Sequence, residues 1–441
     1  MSRAASRSPV GAGRCLGTPD PARAELDGVI VIAKSPRPGR VKTRLTPVFS
    51  PHEAACLAAA AIRDTVAAAR GTGLRTVVAW DGPPAPWLDA EAEVIAQRGE
   101  GLGQRLDAAF ADALGTAVDR PTLLVGMDTP QLTPADLLAD WHGADAVLGP
   151  CEDGGYWSIG LRRYLPGLFD DVPMSTDHTA SDQLARLLAC GLTVHLLPTM
   201  RDVDEPEDAR VVAGLVPSTR FARTYARIVA APCDPMALWE SALEGRPVTL
   251  SLGAGTGPAT LDVASWLSLS AVDELVVSRC AGPLIDIGCG PGRFVEALAA
   301  RGIPALGIDV SPASVGRTRA RGASALVRDV FHPLPAEGRW HTVLLADGNI
   351  GIGADPAALL RRCRELIAPD GSAVVEADPD RSRDERTQVV LHGSLGRRSV
   401  PVPWARVGSR ALVRYAAAAG LLPLEEWQAA GRTFVVLRPA A

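Results

Sequence analysis

The sequence lacks any pair of cysteines spaced C-x-x-C, and histidine is scarce, with 7 in 441 residues. Its cysteines are scattered along the chain: Cys15, Cys56, Cys151, Cys190, Cys233, Cys280, Cys289 and Cys363. Structural zinc sites and disulfide frameworks draw on regularly spaced cysteine ligands or partners, so we expect neither. Scattered reduced thiols are typical of the cytosol, and the pattern predicts a cytoplasmic protein.

The sequence also has no surplus of basic residues: 45 lysines and arginines stand against 50 aspartates and glutamates, a formal net charge of −5. Phosphate contacts dominate the affinity of proteins that bind duplex nucleic acid, so we expect no nucleic-acid partner. No apolar run reaches the roughly 20 residues of a membrane span, so we expect no membrane partner. Residues 1–27 lack the apolar core of a secretory signal and predict a disordered tail.

The sequence does contain two successive series in which short apolar runs alternate with helical stretches. In the first, GVIVIA, RTVVAW and PTLLVG have the length and composition of buried strands. A second series opens with PLIDI near residue 281 and ends with a predicted terminal pair of strands, Leu424 to Gln428 and Thr433 to Leu437. Such alternation predicts two doubly wound α/β domains with mainly parallel sheets. The proline-containing stretch AAPCDP places the domains at 28–229 and 230–441. The oligomeric state stays open.

A glycine-rich loop follows PLIDI directly. It runs Asp286-Ile-Gly288-Cys-Gly290-Pro-Gly292, and this D-x-G-x-G-x-G form differs from the G-x-G-x-x-G of dinucleotide-binding loops. Glycines permit a tight turn and a close approach of the backbone to a ligand at the start of the next helix. We expect Asp286 to hold the ammonium group of a ligand that has an amino-acid tail.

Polar side chains follow the next strands at the same edge of the predicted sheet. Asp309 ends the second strand, where a carboxylate can bind both hydroxyls of a ribose. Asp329 follows the third strand and can hydrogen-bond an adenine amine. Asp347 and Asn349 follow the fourth strand and are the candidates for contact with an acceptor substrate.

This ordered series resembles the class I S-adenosylmethionine-dependent methyltransferases over about residues 235–441. The resemblance implies S-adenosylmethionine as cofactor and a small-molecule acceptor. Positioning of the acceptor can supply most of the catalysis, with Asp347 and Asn349 as the catalytic candidates. A nicotinamide-dependent dehydrogenase and a relic of the fold without cofactor are the alternatives.

An arginine-rich segment, residues 380–406, interrupts the expected passage from the fifth strand to the last helix. It contains QVVLHG and SVPVPW, which predict a hairpin. Segments inserted over a rigid scaffold often select substrates, although a plain surface hairpin is the alternative. The candidate acceptor contacts on it are His392, Trp404 and Arg406.

A basic loop follows the first strand of the first series. Lys34, Arg37, Lys42 and Arg44 crowd a stretch that contains proline and glycine, at the carboxyl end of a buried strand. Such a cluster suits a diphosphate ligand. The loop is therefore a predicted nucleotide-binding element, with a solvated basic loop as the alternative.

Acidic residues follow other strands of the first series. Asp128 comes after PTLLVG and can hold Mg²⁺ or Mn²⁺ against two phosphates, and Asp204 can supply a second ligand from the last strand. A helix N-cap is an alternative role for Asp204. Asp153 lies beside two glycines and is the catalytic candidate for contact with the acceptor or metal. Gly103 and Arg105 open a helix predicted to pass beside the nucleotide.

The segments AKSPRPGRVKTRL, EGLGQRL, GMDTPQL, GPCEDGGYWSIGL and DVDEPEDA resemble the DUF2064 family over about residues 28–225. That family's fold is like that of GT-A glycosyltransferases and MobA-like nucleotidyltransferases. The resemblance implies a nucleotide sugar bound with a divalent metal at Asp128 and Asp204, with Lys42 and Arg44 in the phosphate loop.

The D-x-D signature of many glycosyltransferases is absent at Gly126-Met127-Asp128. Nucleotidyl transfer is therefore an alternative activity for the first domain. We expect a bifunctional transferase in which the first domain transfers a glycosyl group and the second a methyl group. A further alternative is that one domain is inactive and serves for binding or regulation.

Overall fold

The structure, a computed structural model, describes the residue ranges 26–83, 85–89, 92–114, 120–253 and 257–440. Two compact units form: residues up to Lys42 with Ala55–Tyr225, and Thr43–Ala54 with the chain from Ala226 onward. Of the predicted tail, residues 1–25 lie outside the described residues. In the described part of the chain, no helix is both long enough and apolar enough to cross a membrane.

The first unit is built on a seven-stranded sheet with the order β3-β2-β1-β4-β6-β5-β7. Its strands are β1 Gly28–Lys34, β2 Arg75–Asp81, β3 Glu93–Ala96, β4 Thr122–Val125, β5 Ala146–Pro150, β6 Tyr156–Leu161 and β7 Val194–Leu196. β6 runs antiparallel to both of its neighbours, and the other neighbouring pairs are parallel. The sheet is therefore mainly parallel, as predicted.

Helices connect these strands. They are α1 Pro51–Gly71, α2 Pro86–Asp89, α3 Gly101–Leu114, α4 Pro134–Leu137, α5 Thr179–Ala189, α6 Pro206–Leu215 and α7 Arg220–Ala230. α3 buries Leu106, Ala109, Phe110 and Ala113, the three- and four-residue spacing of an amphipathic helix that packs on a sheet. The residues of β1 and β4 are almost all buried, which is typical of central strands covered on both faces.

The second unit contains another seven-stranded sheet, with the order β12-β11-β10-β13-β14-β18-β17. Its strands are β10 Leu284–Ile287, β11 Ala305–Asp309, β12 Ala325–Val327, β13 Trp340–Leu345, β14 Ile367–Ala377, β17 Leu421–Ala429 and β18 Arg432–Pro439. The first five strands in that order are parallel, and β17 and β18 form an antiparallel pair beside β14. The predicted terminal strand pair and the α/β fold class are confirmed.

The helices of this unit are α8 Pro235–Leu243, α9 Ala271–Val277, α10 Arg293–Ala300, α11 Pro312–Ala320, α12 Pro356–Leu366 and α13 Ser409–Ala418. α9 begins with a capping box, in which Ser270 and Asp273 satisfy each other's backbone N–H groups. α10 begins directly after Gly292, so its N-terminus faces the glycine-rich loop. This is the position in which a helix can receive a ligand.

A separate four-stranded antiparallel sheet completes the second unit, with the order β16-β15-β8-β9. Its strands are β8 Thr249–Leu252, β9 Ala259–Thr260, β15 Asp384–His392 and β16 Val402–Val407. The pairing of β15 with β16 confirms the predicted hairpin. β8 and β9 were not predicted, and they extend the hairpin into a sheet.

Candidate functional sites

Lys42 lies at the end of the basic loop, just before the 3₁₀ turn Thr43–Leu45. Its backbone has the left-handed conformation (φ 47°), which is uncommon for a residue with a side chain. The ammonium donates to Asp128 Oδ2 at 2.8 Å and to Asp204 Oδ1 at 2.7 Å, and only 10% of the side chain is exposed. Burial alone would lower the pKa of Lys42, but the two carboxylates outweigh it and raise that pKa.

Three carboxylates converge on this point: an oxygen from each of Asp128, Asp202 and Asp204 lies within 4.8 Å of the others. We call this set the acid cluster. The backbone N–H of Val203 donates to the carbonyl of Asp128 at 3.0 Å and so joins the loop after β4 to the loop after β7. Burial, and then the charges of neighbouring carboxylates, raise the pKa of Asp202 to about 7.

Asp202 was not among the predicted site residues. The signal that could have identified it is the pattern Asp202-Val203-Asp204, a D-x-D that follows the last strand of the unit. At Gly126-Met127-Asp128, the other candidate position for this pattern, one acid is present. The structure brings the two predicted metal positions, Asp128 and Asp204, together with this third carboxylate.

Asp153 lies next to the acid cluster. One oxygen each from Asp153 and Asp202 and the sulfur of Cys151 lie within 4.8 Å of one another. Gly154 (φ 90°) shapes the turn, and a Cβ on it would overlap the carbonyl of Asp177. Burial, and then nearby carboxylates, raise the pKa of the Cys151 thiol, so this group is a neutral neighbour.

The other predicted nucleotide-binding residues lie on the surrounding loops and on α3. Three of them are exposed: Lys34, Arg37 and Arg44. Arg44 belongs to the segment that groups with the second unit. Gly103 packs closely against the carbonyl of Phe169, and the guanidinium of Arg105 donates to Asp81 Oδ2 at 2.7 Å.

In the second unit, the glycine-rich loop connects β10 to α10. Gly288, Gly290 and Gly292 have φ values of 72°, 53° and 88°, a region that strongly favours glycine. A Cβ on Gly288 would lie 2.6 Å from Asn349 Nδ2, and one on Gly292 would lie 2.5 Å from the side chain of Thr318. Gly288 and Gly292 therefore exclude side chains for two reasons, the backbone conformation and the lack of space. At Gly290 only the backbone conformation disfavours a side chain.

Two predicted residues hold this loop through hydrogen bonds. Asp309 accepts from the backbone N–H of Gly290 at 2.9 Å and from that of Ser311 at 2.8 Å. Burial raises the pKa of Asp309, although these N–H groups oppose the change. The Asn349 amide donates to the carbonyls of Gly288 and the preceding residue at 3.0 and 2.9 Å. Both side chains therefore fix the backbone that would face a ligand.

Asp286 lies in β10 with 2% of its surface exposed. Its Oδ2 atom has no hydrogen-bond partner among the residues that the structure describes. Burial raises the pKa of Asp286 to about 7, Arg293 opposes this change, and Asp347 and Asp309 add to it. A buried polar atom without a partner is costly, and it fits a site that a ligand's donor group completes.

Two arginines and three acids form an ion network at the carboxyl edge of the second sheet. Arg293 contacts Asp273 at 3.2 Å and Asp347 at 2.8 Å, and Arg432 contacts Asp273 and Glu376, both at 2.7 Å. Burial would raise the pKa of Asp273, but its hydrogen bonds and the arginines lower it to about 2. The structure therefore places Asp347, a predicted catalytic residue, in ion pairs within the protein.

Asp329 and His392, predicted to contact adenine and acceptor, have local partners. Asp329 accepts from the backbone N–H of Phe331 at 3.0 Å, and 43% of its side chain is exposed. His392 Nε2 lies 3.0 Å from the hydroxyl of Ser251, a contact that links β15 to β8. Asp329 therefore keeps an open face, whereas His392 is engaged within the antiparallel sheet.

Strand β16 packs on the turn that follows β13. Trp404 pairs with Ile352 in an isolated bridge, and a Cβ on Gly351 would overlap the Trp404 indole. Arg406, the third predicted acceptor contact, forms an ion pair with Asp378 at 2.9 Å. The antiparallel sheet thus reaches the carboxyl edge of the parallel sheet, beside the turn that carries Asn349.

Two family models match successive parts of the chain. The DUF2064 family, described as uncharacterized protein conserved in bacteria, matches residues 54–176, and a methyltransferase-domain family matches residues 270–421. With two α/β units and a methyltransferase-domain match, the chain is an α/β transferase. More specifically, the chain carries a DUF2064 domain followed by a methyltransferase domain, and the predicted fusion is confirmed.

The chain is similar to the ubiquinone biosynthesis O-methyltransferase of Acinetobacter baumannii (strain AYE), with 30% identity over 115 residues, 24% of this chain and 47% of the relative. The enzyme of the same description from Cereibacter sphaeroides is 35% identical over 96 residues, 21% of this chain and 39% of the relative. The chain thus spans about half the length, or less, of these curated relatives.

Two solved structures are each similar to about half of the chain. One, from Desulfovibrio desulfuricans G20, is assigned as a nucleotide-diphospho-sugar transferase; it has 26% identity and a TM-score of 0.41, over 49% of this chain and 94% of its own. The other is a Bacteroides fragilis S-adenosylmethionine-dependent methyltransferase in complex with S-adenosyl-L-homocysteine. It has 20% identity and a TM-score of 0.41, over 47% of this chain and 95% of its own.

Proposed function

We propose that the second unit transfers a methyl group from S-adenosylmethionine to a small-molecule acceptor. The observation that carries this proposal is buried Asp286, whose unpartnered oxygen fits an ammonium group beside a glycine-rich loop. S-adenosylmethionine has such an ammonium group and supplies an activated methyl group when bound. The absence of side chains on Gly288, Gly290 and Gly292 leaves the loop backbone open to the amino-acid part of the ligand.

Asp309 and Asp329 would hold the adenosine part. Asp309 accepts from the backbone N–H groups of Gly290 and Ser311, and each carboxylate oxygen has two acceptor sites, so the side chain could also accept from a ribose hydroxyl. The half-exposed carboxylate of Asp329 would accept from the adenine amine. The backbone bonds keep Asp309 in place before the ligand arrives.

Asp347 and Asn349 support positioning rather than proton transfer in this proposal. Asp347 is held by Arg293, and Asn349 is held by the backbone of the glycine-rich loop. Because the thioether leaving group is already good, alignment of the acceptor can supply most of the rate, and no dedicated base is required. The four-stranded antiparallel sheet, whose Trp404 lies beside the turn that carries Asn349, would form the side of the site that binds the acceptor.

For the first unit we propose glycosyl transfer from a nucleotide sugar. The acid cluster carries this part: its donors are carboxylate oxygens, which suit Mg²⁺ or Mn²⁺. A bound divalent metal would neutralise charge on the diphosphate leaving group. Asp128, Asp202 and Asp204 would hold that metal, and Asp153 would contact the acceptor.

The remaining cationic groups would serve the nucleotide. Lys42, with exposed Lys34 and Arg37, would hold the diphosphate. Gly103 and Arg105 would lie beside the nucleoside.

We place the domain boundary near residue 230 and the protein in the cytoplasm as parts of the same proposal. Nucleotidyl transfer remains the second candidate, because three carboxylates suit a metal that bridges triphosphate oxygens equally well.

Calorimetry on the full chain tests the methyltransferase assignment. Asp286→Ala should abolish binding of S-adenosylhomocysteine, whereas Asp370→Ala, at a carboxylate 81% exposed in the same unit, should leave binding unchanged. Equal affinity of the two variants would refute the role of Asp286. For the first unit, release of a nucleoside diphosphate from UDP- or GDP-sugars with Mn²⁺ supports glycosyl transfer. Release of pyrophosphate from nucleoside triphosphates instead would establish nucleotidyl transfer.

A further inference from the structure

Lys42 makes the two contacts that a divalent metal in the acid cluster would also need. Its Nζ atom donates to Asp128 Oδ2 and Asp204 Oδ1, at 2.8 and 2.7 Å. These distances are those of charge-assisted hydrogen bonds, so the ammonium is held firmly and not merely nearby. In this structure the cation of the acid cluster is therefore a side chain of the protein itself.

An ammonium group and a metal ion compete for those oxygens. Lys42 has three N–H donors and no lone pair, so it cannot become a ligand of the metal. A Mg²⁺ or Mn²⁺ ion takes carboxylate oxygens at about 2.1 Å, and it would meet a positive charge on the same two oxygens. The repulsion is strong because only 10% of the Lys42 side chain is exposed to solvent.

Lys42 has an alternative partner within the same proposed site. It belongs to the basic loop at the carboxyl end of β1, where a diphosphate would lie. A diphosphate offers anionic oxygens to the ammonium, and when Lys42 turns to them, its hydrogen bonds to Asp128 and Asp204 break. The acid cluster would then hold three carboxylates within 4.8 Å of one another, which favours uptake of a dication.

We propose that Lys42 is a resident cation that keeps the metal out until a diphosphate arrives. Metal and diphosphate then bind together. The diphosphate draws the Lys42 ammonium away, and the metal binds the carboxylates of Asp128 and Asp204 that the ammonium had occupied. The inference rests on the proposed function of the first unit and adds a binding order to it. Lys42 acts as a positioning residue that couples the two ligands.

Direct Mn²⁺ binding to the full chain tests the proposal. It is measured by equilibrium dialysis, in which the Mn²⁺ complexed by dissolved pyrophosphate is the same on both sides of the membrane and cancels. Inorganic pyrophosphate serves as the diphosphate probe. In the unaltered protein, pyrophosphate should tighten Mn²⁺ binding by roughly tenfold or more. Lys42→Met should bind Mn²⁺ alone roughly tenfold tighter than the unaltered protein does, and should lose most of the effect of pyrophosphate. Arg40→Met removes a charge from an exposed position of the same loop and should behave like the unaltered protein.

Three outcomes overturn the inference. If Lys42→Met and the unaltered protein bind Mn²⁺ equally, Lys42 does not exclude the metal, although the metal site stands. If neither binds Mn²⁺ with or without pyrophosphate, the metal site itself fails. Thermal unfolding provides a second measurement in case Lys42→Met is destabilised. Mn²⁺ should raise the unfolding midpoint of Lys42→Met more than that of the unaltered protein, and an equal rise also contradicts the proposal.

Discussion

The substitution Asp286→Asn should stabilise the protein while removing its affinity for the adenosyl ligand. Burial raises the pKa of Asp286 from an ordinary 3.8 to about 7. The folded chain therefore keeps a proton on Asp286 at pH values where the unfolded chain has released it. Stability accordingly falls as pH rises from about 4 to about 7, and the loss is complete above that range.

The size of the effect follows from the pKa. A rise from 3.8 to about 7 corresponds to about 4 kcal/mol of unfolding free energy above neutral pH. Asparagine is always neutral, so Asp286→Asn should recover much of that cost near pH 8 and much less near pH 5. This figure is an upper bound, because a buried amide needs hydrogen-bond partners of its own.

Binding should show the opposite pH dependence to stability. The carboxylate of Asp286 accepts the ligand's ammonium group only when it is ionised. The affinity for S-adenosylhomocysteine should therefore be about tenfold weaker near pH 6 than near pH 8, and the remaining affinity of Asp286→Asn should not change between them. Calorimetry measures the affinity. Stability is measured by thermal unfolding, in the unfolding transition whose midpoint S-adenosylhomocysteine shifts.

A matched control separates this effect from a general loss of charge. Asp370→Asn, at an exposed carboxylate of the same unit, should change neither stability nor ligand affinity by much. The reasoning is refuted if Asp286→Asn is no more stable than the unaltered protein near pH 8. It is also refuted if the affinity of the unaltered protein is flat between pH 6 and pH 8, values that bracket the pKa of about 7.

Three further substitutions test other contacts. Asn349→Ala removes both amide bonds to the glycine-rich loop and should weaken S-adenosylhomocysteine binding by roughly tenfold in calorimetry; unchanged affinity would show that the loop holds itself. Arg293→Met leaves buried Asp273 with one arginine fewer and should cost about 3 kcal/mol in chemical unfolding, and a loss below about 1 kcal/mol would contradict that role. Gly154→Ala forces a side chain toward the carbonyl of Asp177 at positive φ, so it should lower the unfolding midpoint and Mn²⁺ binding together; a neutral result would mean that the turn can relax.

The sequence was sufficient to predict the elements whose signals are local. Buried apolar runs predicted the central strands β1 and β10, and the polar residues just after them lie at the carboxyl edges of the sheets. The terminal strand pair and the hairpin were also predicted, because each is formed by neighbouring segments. In each case the pattern of apolar residues over a short window was sufficient.

Contacts between distant segments were not predictable in this way. Arg293 and Arg432 meet at Asp273, and Arg432 lies 159 residues away from that aspartate. A charge pattern in sequence does not show which arginine a distant acid will pair with. Strands β8 and β9 were missed for a similar reason, since β8 pairs with β15, more than a hundred residues further on.

The acid cluster was predicted in part. Asp128 and Asp204 were assigned from their positions after strands, and the structure brings their oxygens together. Asp202 joins them because a backbone hydrogen bond from Val203 fixes the later loop against the earlier one. The sequence shows the D-x-D pattern at 202–204, but it does not show that this loop is hydrogen-bonded to the loop that carries Asp128.

The fit of Trp404 against Gly351 has a consequence for how acceptor preference can change. The hairpin that carries Trp404 is an insertion between β14 and α13, so it can be exchanged between related chains without altering the order of the parallel sheet. A Cβ at position 351 would overlap both the Trp404 indole and the backbone carbonyl of Ala405. A transplanted hairpin that follows the same backbone path therefore requires glycine in the recipient's turn, whichever residue it carries at position 404.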